Sequence, residues 1–311
     1  MKRSLPFSIA IGLIAGLYSF SITANEIRIG YQKSAISLAL IKARGELENQ
    51  LKQEGHTVSW KEFPAGPQQL EALNVGSIDL ASTGDAPPIY GQANGTQFVY
   101  VGNEPIRSQS SAILIPLNSP IKDLRDLKGK RVAVPKGSSG HYFLIKALDS
   151  VGLKLEDISP AYLQHAEARA AFEQGAVDAW VSWDPYYAAI EQTGQAKVLI
   201  DGSGYVNNYT FYLSNNEFAK NNRKALDIIF KQLSTNDDYV KRHLKEAIGT
   251  LSSTTGLEPK VFERIFERRP SFKLDYLRPA VVADQQKVAD RLFELKLIDH
   301  PIVVQDIVFN P

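Results

Sequence analysis

The stretch Glu71-Ala72-Leu73-Asn74-Val75-Gly76-Ser77-Ile78-Asp79, with Asp85 after it, has an echo later in the chain. The echo is Ala170-Ala171-Phe172-Glu173-Gln174-Gly175-Ala176-Val177-Asp178, with Asp184 after it. Gly76, Asp79 and Asp85 each stand 99 residues before Gly175, Asp178 and Asp184. Each unit reads as a helix, a glycine turn, an acidic turn residue, a short buried strand, and a helix opened by an acid with early proline. The spacing is too long for a solenoid repeat. It fits one equivalent unit in each of two lobes, each presenting a strand end and a helix start.

Outward from these units, the same rhythm continues. Glu26-Ile27-Arg28-Ile29-Gly30-Tyr31 alternates and reads as a first strand, and Ser34 or Ser37 can cap a helix ending at Gly45. Val58 to Phe63, Ile78 to Ala81 and Phe98 to Val101 read as strands, with helices at 68–74 and from Asp85. The middle of the chain repeats this, with strands at 112–116, 131–134, 177–181, 198–200 and 210–213 and helices at 141–151, 168–174 and 184–192. Helices are expected at 224–233, 239–248, 259–268 and 281–295. Strands alternating with helices predict an α/β fold with mostly parallel sheets covered by helices.

The first residues differ from the rest. Lys2 and Arg3 precede an apolar run from Leu5 to Phe20, and Ile22-Thr23-Ala24 offers a cleavage site. This is the pattern of a secretory signal peptide over 1–24, with an apolar run short of a spanning helix. Without it, 33 Lys and Arg face 34 Asp and Glu over 287 residues. That near-neutral balance gives no reason to expect nucleic acid or an anionic membrane as partner. The absence of cysteine excludes disulfides, thiol nucleophiles, thiolate metal sites and lipidation after the cut. An exported, unanchored protein predicts a periplasmic location.

Four helix starts frame the expected cleft: Ser34-Ala35-Ile36-Ser37, Ser82-Thr83-Gly84-Asp85, Gly137-Ser138-Ser139-Gly140-His141 and Ser182-Trp183-Asp184-Pro185. Each follows a strand, where open α/β sheets collect ligands. Free N–H groups and small residues suit a tetrahedral oxyanion, and the hydroxyls of Ser37, Thr83, Ser138 and Ser139 add donors. None of these loops holds an Arg, so the expected head-group site uses backbone dipoles and neutral donors rather than a buried cation. Asp85 and Asp184 are read as helix caps. Trp183, Tyr31 and Tyr205 are candidate surfaces for an apolar ligand tail. His141, at a helix start, is expected neutral.

Other chemistries find less support. Gly137–Gly140 lacks the spacing and the Lys-Ser/Thr pair of a P-loop. An exported hydrolase built on Ser138, Ser139 and His141 would lack both a nucleophile elbow and an acid partner. His56, His141, His165, His243 and His300 show no close metal-ligand spacing, and no cofactor is expected.

Several strings together carry a resemblance: Ile29-Gly30-Tyr31-Gln32-Lys33, Glu62-Phe63-Pro64-Ala65-Gly66-Pro67-Gln68, Leu70 to Leu80, Ser82-Thr83-Gly84-Asp85-Ala86-Pro87-Pro88, Lys136 to His141, and Val177 to Tyr187. Across most of 26–300 the chain resembles the periplasmic aliphatic-sulfonate-binding proteins of ABC importers, in the sulfonate, taurine and nitrate-like branch. The resemblance implies a two-lobe periplasmic-binding-protein-like fold of type II with a central cleft. Lobe one would be 25–111 with 209–311 and lobe two 112–208. It implies a sulfonate head held by Gln32, Ser37, Thr83, Gly84, Ser139, Gly140, His141, Trp183 and Asp184. It further implies a monomer that takes an alkanesulfonate to an ABC permease and ATPase complex. Related members bind taurine, nitrate, bicarbonate or a pyrimidine precursor. The second reading is therefore a binding protein for taurine, a sulfate ester, another small anion or a thiamine-precursor pyrimidine.

Overall fold

Ile27 and Ile29 alternate with exposed Glu26 and half-exposed Arg28, and the strand they build is the first element of the computed structural model, which describes residues 25–269 and 271–310. The expected signal peptide over 1–24 lies outside the described residues. In chain order the first elements are β1 (Asn25–Tyr31), α1 (Ile36–Arg44), α2 (Glu46–Gln53), β2 (His56–Glu62), α3 (Gly66–Asn74), β3 (Leu80–Thr83), α4 (Ala86–Ala93) and β4 (Phe98–Glu104). Then follow β5 (Ser111–Pro116), β6 (Arg131–Ala133), α5 (Ser139–Asp149), β7 (Ser159–Ala161), α6 (His165–Glu173), β8 (Ala179–Trp183), α7 (Tyr186–Glu191) and β9 (Ala196–Asp201). The chain closes with β10 (Thr210–Asn215), α8 (Asn216–Asn221), α9 (Arg223–Arg242), α10 (Leu244–Thr255), α11 (Pro259–Arg268) and α12 (Pro279–Glu294).

The strands form two sheets, ordered β2-β1-β3-β10-β4 and β7-β6-β8-β5-β9. They are built alike. β1 and β3 run parallel, as do β6 and β8, and each unit's central strand then pairs with an antiparallel strand, β10 or β5. That antiparallel strand is the one entering from the other lobe, so both sheets are mixed rather than mostly parallel. Apolar clusters cover both faces of each sheet. Tyr100, Phe211 and Leu213 pack with α3, α4 and α12, while Ile29, Leu80 and Tyr212 pack with α1, α2 and α9. In the second lobe, Val132 and Val181 face Phe143 and Leu144, and Trp180 faces Phe172 and Tyr187. Two crossings join the lobes, between β4 and β5 and between β9 and β10. They are tied by the Arg107 N–H donating to Asn207 O at 3.1 Å.

Element boundaries depart from the sequence reading where tertiary contacts intervene. No serine side chain caps α1, whose N-cap is Ala35. α2, β7 and α8 were not expected. The expected helices leave Ser234-Thr235-Asn236-Asp237-Asp238, all weak helix formers, between them, yet α9 runs through the segment. The segment is held from outside: Asp237 Oδ1 accepts from Phe272 N at 2.7 Å, Ser234 donates to Leu274 O at 2.9 Å, and Asn236 donates to Ser37 O at 3.4 Å. The real break is at His243, after which α10 runs to a left-handed Gly256.

Candidate functional site

The strand ends and helix starts converge where the lobes meet. Gln32, Ser34, Ala35, Gly66, Ser82, Thr83, Gly84, Pro87 and Thr210 line a central cavity from the first lobe. Ser111, Ser138, Ser139, Gly140 and Trp183 line it from the second, and Arg107 and Asn208 from the crossings. The cavity volume is about 20 Å³, roughly the space of a single water, because the two lobes touch directly. Ser139 Oγ accepts from Ala86 N at 3.2 Å across the cleft, and its hydroxyl reaches the Asp85 carboxyl. A Cβ on Gly84 would stand 2.2 Å from Ser139 Oγ, so only glycine permits this approach. Gly140 plays the same part on its side: a Cβ there would lie 2.9 Å from the Trp183 ring.

The helix starts contribute unequally. At α5, Ser138 is the N-cap, and its Oγ accepts from His141 N at 3.2 Å. The first helical N–H groups, at Ser139 and Gly140, have no intrahelical acceptor and are placed to meet an anion. At α4, the second and third positions are Pro87 and Pro88, which carry no N–H, and Ala86 N already bonds Asp85 Oδ1 at 2.9 Å. At α7, Pro185 likewise has no N–H, and Asp184 Oδ1 accepts from Ala188 N at 3.1 Å. Two of the four starts are therefore weak sources of dipole.

The expectation of a site without a buried cation is corrected here. Arg107 lines the cavity, is 7% exposed, and forms no ion pair or side-chain hydrogen bond among the described residues. Its Nε is buried without an acceptor. Burial depresses its pKa, and the nearby Asp85 and Asp184 carboxylates hold it up. Unpaired charges are rarely kept this deep in a protein. Arg107 escaped the sequence reading because it lies in no strand-to-helix loop. The available signal was a lone Arg in a segment that must cross between two lobes.

The predicted residues divide clearly. Gln32, Thr83, Gly84, Ser139, Gly140 and Trp183 line the cavity. Gln32 is fixed by its Nε2 donating to Ser82 O at 3.1 Å. Ser37 does not line it; it is buried beside the Tyr212 hydroxyl, in the first turn of α1. Tyr31 also lies outside, because neighbours at a strand end point to opposite sides. Its hydroxyl accepts from Lys42 Nζ at 2.9 Å, and it faces a separate cavity with Lys33 and Glu62. Tyr205 packs edge-on against Phe143 and lines a hinge-side cavity of about 330 Å³.

His141 is buried behind the α5 start. Burial, with Lys136 adding to it, lowers its pKa to about 4, and Nδ1 accepts from Gly137 N at 3.4 Å. It is neutral mainly by desolvation rather than by the helix dipole. Asp184 does not line the cavity either. Arg268 Nη1 holds its Oδ1 at 2.9 Å, and burial raises its pKa to about 6 against that pairing. Behind Trp183, His165 stacks on Tyr186 with centroids 4.1 Å apart and meets Trp183 edge-on at 4.0 Å, which braces the indole. Among the described residues no cluster of three or more His, Asp or Glu is arranged for a metal ion, and no helix is long and apolar enough to cross a membrane.

Comparison with known proteins places this geometry. The family model described as NMT1/THI5 like matches residues 51–247. The alkanesulfonate-binding protein SsuA from Xanthomonas axonopodis pv. citri, bound to MOPS, superposes with a TM-score of 0.87 at 40% identity, covering 92% of this chain and 98% of that one. The periplasmic aliphatic sulphonate binding protein SsuA from Escherichia coli superposes with a TM-score of 0.83 at 43% identity, covering 92% of each chain. The taurine-binding periplasmic protein of Escherichia coli (strain K12) is 29% identical over 59% of this chain and 55% of its own length. With full-length relatives above the identity at which a family is shared, and with a two-lobe fold closed around a polar cavity, the chain belongs to the aliphatic-sulfonate-binding proteins within the NMT1/THI5-like family.

Proposed function

We propose that this protein is a periplasmic solute receptor that captures an aliphatic sulfonate between its lobes and delivers it to an ABC permease and ATPase complex. The observation that carries the reading is Arg107, a buried guanidinium that lines the cavity and has no protein partner. A sulfonate would give it one. The first N–H groups of α5, the Ser139 hydroxyl and the Gln32 amide supply further donors, and Trp183 offers tail surface. MOPS, held by the Xanthomonas relative, is itself a propanesulfonate.

Because the closed cavity admits little more than a water, loading requires the lobes to part. The moving bodies are taken as 25–111 with 209–311 and 112–208, hinged at the two crossings. Binding rather than hydrolysis is supported by the serine and histidine geometry. Ser138 Oγ donates to Pro135 O at 2.7 Å and accepts from His141 N, while His141 Nδ1 accepts from Gly137 N. Among the described residues no hydroxyl is held by an imidazole as a nucleophile would be.

The test is a calorimetric panel of methane- to butanesulfonate, taurine, nitrate and a thiamine-type pyrimidine, on the native protein and on Arg107→Met. Affinity is expected to rise along the alkyl series by a few-fold per buried CH₂, about 0.8 kcal/mol each, and then plateau. Arg107→Met is expected to lose at least about a hundredfold in sulfonate affinity. Preference for taurine over ethanesulfonate, or unchanged affinity in the variant, would overturn this assignment.

A further inference from the structure

A fifth helix start, that of α3, also reaches the cavity. Gly66, its first residue, lines the wall. No side chain caps this helix, which follows Ala65. The first N–H groups of a helix have no intrahelical acceptor, and Pro67 has no N–H, so Gly66 carries the free N–H of the α3 start that borders the cavity. The helix is clamped to the end of β3. Gln69, wholly buried, donates from Nε2 to Ser82 O at 2.9 Å, and its Oε1 accepts from Ser82 N at 3.0 Å. This amide sets the α3 start beside the next residue of the strand, Thr83.

Thr83 points to the same place. It is 2% exposed, it lines the cavity, and its Oγ1 has no hydrogen-bond partner among the described residues. A Cβ on Gly66 would stand 2.1 Å from that oxygen and 2.5 Å from Pro87 Cγ. The hydroxyl is thus aimed at the α3 start, where only glycine leaves room for it. A buried hydroxyl without a partner is costly, and a ligand oxygen would accept from it. Across the cleft, a Cβ on Gly137, just ahead of the α5 start, would lie 3.6 Å from Pro67 Cγ. The starts of α3 and α5 therefore approach each other from opposite lobes.

We infer that the α3 start and Thr83 form the first lobe's half of the head-group site. Gly66 N–H and the Thr83 hydroxyl donate to the sulfonate from one side, while the α5 start and Arg107 hold it from the other. Gln69 is the positioning residue, since it fixes α3 against β3. The inference rests on the sulfonate reading above and deepens it. The anion then bridges a helix start of each lobe, which ties head-group recognition to closure.

The experiment follows the backbone amides of isotope-labelled native protein by NMR as ethanesulfonate is added. The Gly66 amide proton is expected to move downfield with those of Ser139 and Gly140 and to exchange more slowly with solvent, while that of Leu70, one turn along α3, stays. A Gly66 signal that stays while Ser139 and Gly140 move overturns the inference and leaves sulfonate binding standing. A movement shared equally by Leu70 reports lobe closure alone and overturns it as well. By calorimetry, Thr83→Val is expected to weaken ethanesulfonate about tenfold or more, and Thr83→Ser, which keeps the hydroxyl, to stay near native affinity. Unchanged affinity in Thr83→Val, or an equal loss in both variants, overturns the assignment. Should neither variant fold, the native amide signals still decide. Failure of the native protein to bind ethanesulfonate would remove the functional reading and this inference together.

Discussion

The unit around Gly76–Asp85 and the unit around Gly175–Asp184 share their local chemistry and differ in their tertiary partners. Both glycines adopt left-handed φ, +66° and +69°, which their turns require. Asp79 and Asp178 do the same work. Asp79 Oδ2 accepts from Arg28 N at 2.8 Å while Asp79 N donates to Arg28 O at 2.7 Å, and Asp178 repeats this with Arg131 at 2.8 Å in both directions. Each acid thus pins the first parallel strand of its lobe to the turn before the central strand. Beyond the strand the copies diverge. The first ends in Thr83-Gly84 and an aspartate without a cation partner. The second ends in Trp183 and an aspartate locked by Arg268 of α11. One start borders the cavity with small residues, the other supplies a ring and a bridge to the C-terminal helices. Duplicated local structure carried the fold, and unduplicated contacts carried the division of labour.

The comparison breaks most visibly at Arg268. It crosses from α11 to Asp184 and Glu191, and its guanidinium lies 3.6 Å from the Tyr187 ring centroid. Arg268→Ala is expected to destabilise the protein by about 3 kcal/mol, because it leaves Asp184 buried with only Ala188 N. Adding Asp184→Asn should recover much of that loss. Urea unfolding of the two variants reads both effects, and a single variant as stable as the native protein would refute the bridging role.

A smaller difference separates Asp79 from Asp178. The Arg28 side chain adds bonds of 3.0 and 2.6 Å to Asp79, whereas Arg131 is exposed and meets Asp178 only through its backbone. Asp178→Ala is therefore expected to cost about 1 kcal/mol and Asp79→Ala about 2. Equal shifts in the urea midpoint would show that the Arg28 pair, which is partly solvated, contributes nothing beyond the shared backbone bonds.

A further difference concerns the acid limb of stability. Burial lowers the His165 pKa to about 3, while the unfolded chain titrates near about 6.5. The unfolded form then takes up the proton first, so this contribution is complete above about pH 6.5 and is lost as pH falls toward 3. Asp184, raised from 3.8 to about 6, works in the opposite sense between those values and blunts the slope. His165→Phe should flatten melting temperature against pH below 6.5, and Asp184→Asn should steepen it. A His165→Phe profile parallel to the native one would show that the buried imidazole does not govern the acid limb.

Much of this architecture was legible because it is written in short-range patterns. Glycine turns, proline-opened helices and buried apolar strands fixed the two equivalent units and the strand-to-helix loops. Those loops supplied Thr83, Gly84, Ser139, Gly140 and Trp183, and the resemblance added Gln32, all of which line the cavity. Ser37, Tyr31 and Tyr205 sit near it in sequence but turn elsewhere. The rotation of a helix's first residues, the alternation of a strand end, or the course of a crossing segment is enough to redirect a side chain. α9 was read as two helices because propensity is local, while Phe272, Leu274 and Ser37 hold its weak segment from far along the chain.

The sequence by itself determined two α/β lobes, equivalent turns at Gly76 and Gly175, and a cleft lined by small polar residues. These follow from neighbours within a few positions, where backbone sterics and hydrogen-bonding demand leave few alternatives. Only the tertiary structure decided where the charges went. Asp85 and Asp184 look alike in sequence, yet Arg268, 84 residues after Asp184, neutralises one, while the other has no salt-bridge partner among the described residues. A buried charge is set by whichever opposite charge the packed core brings within reach, and that partner has no fixed address along the chain.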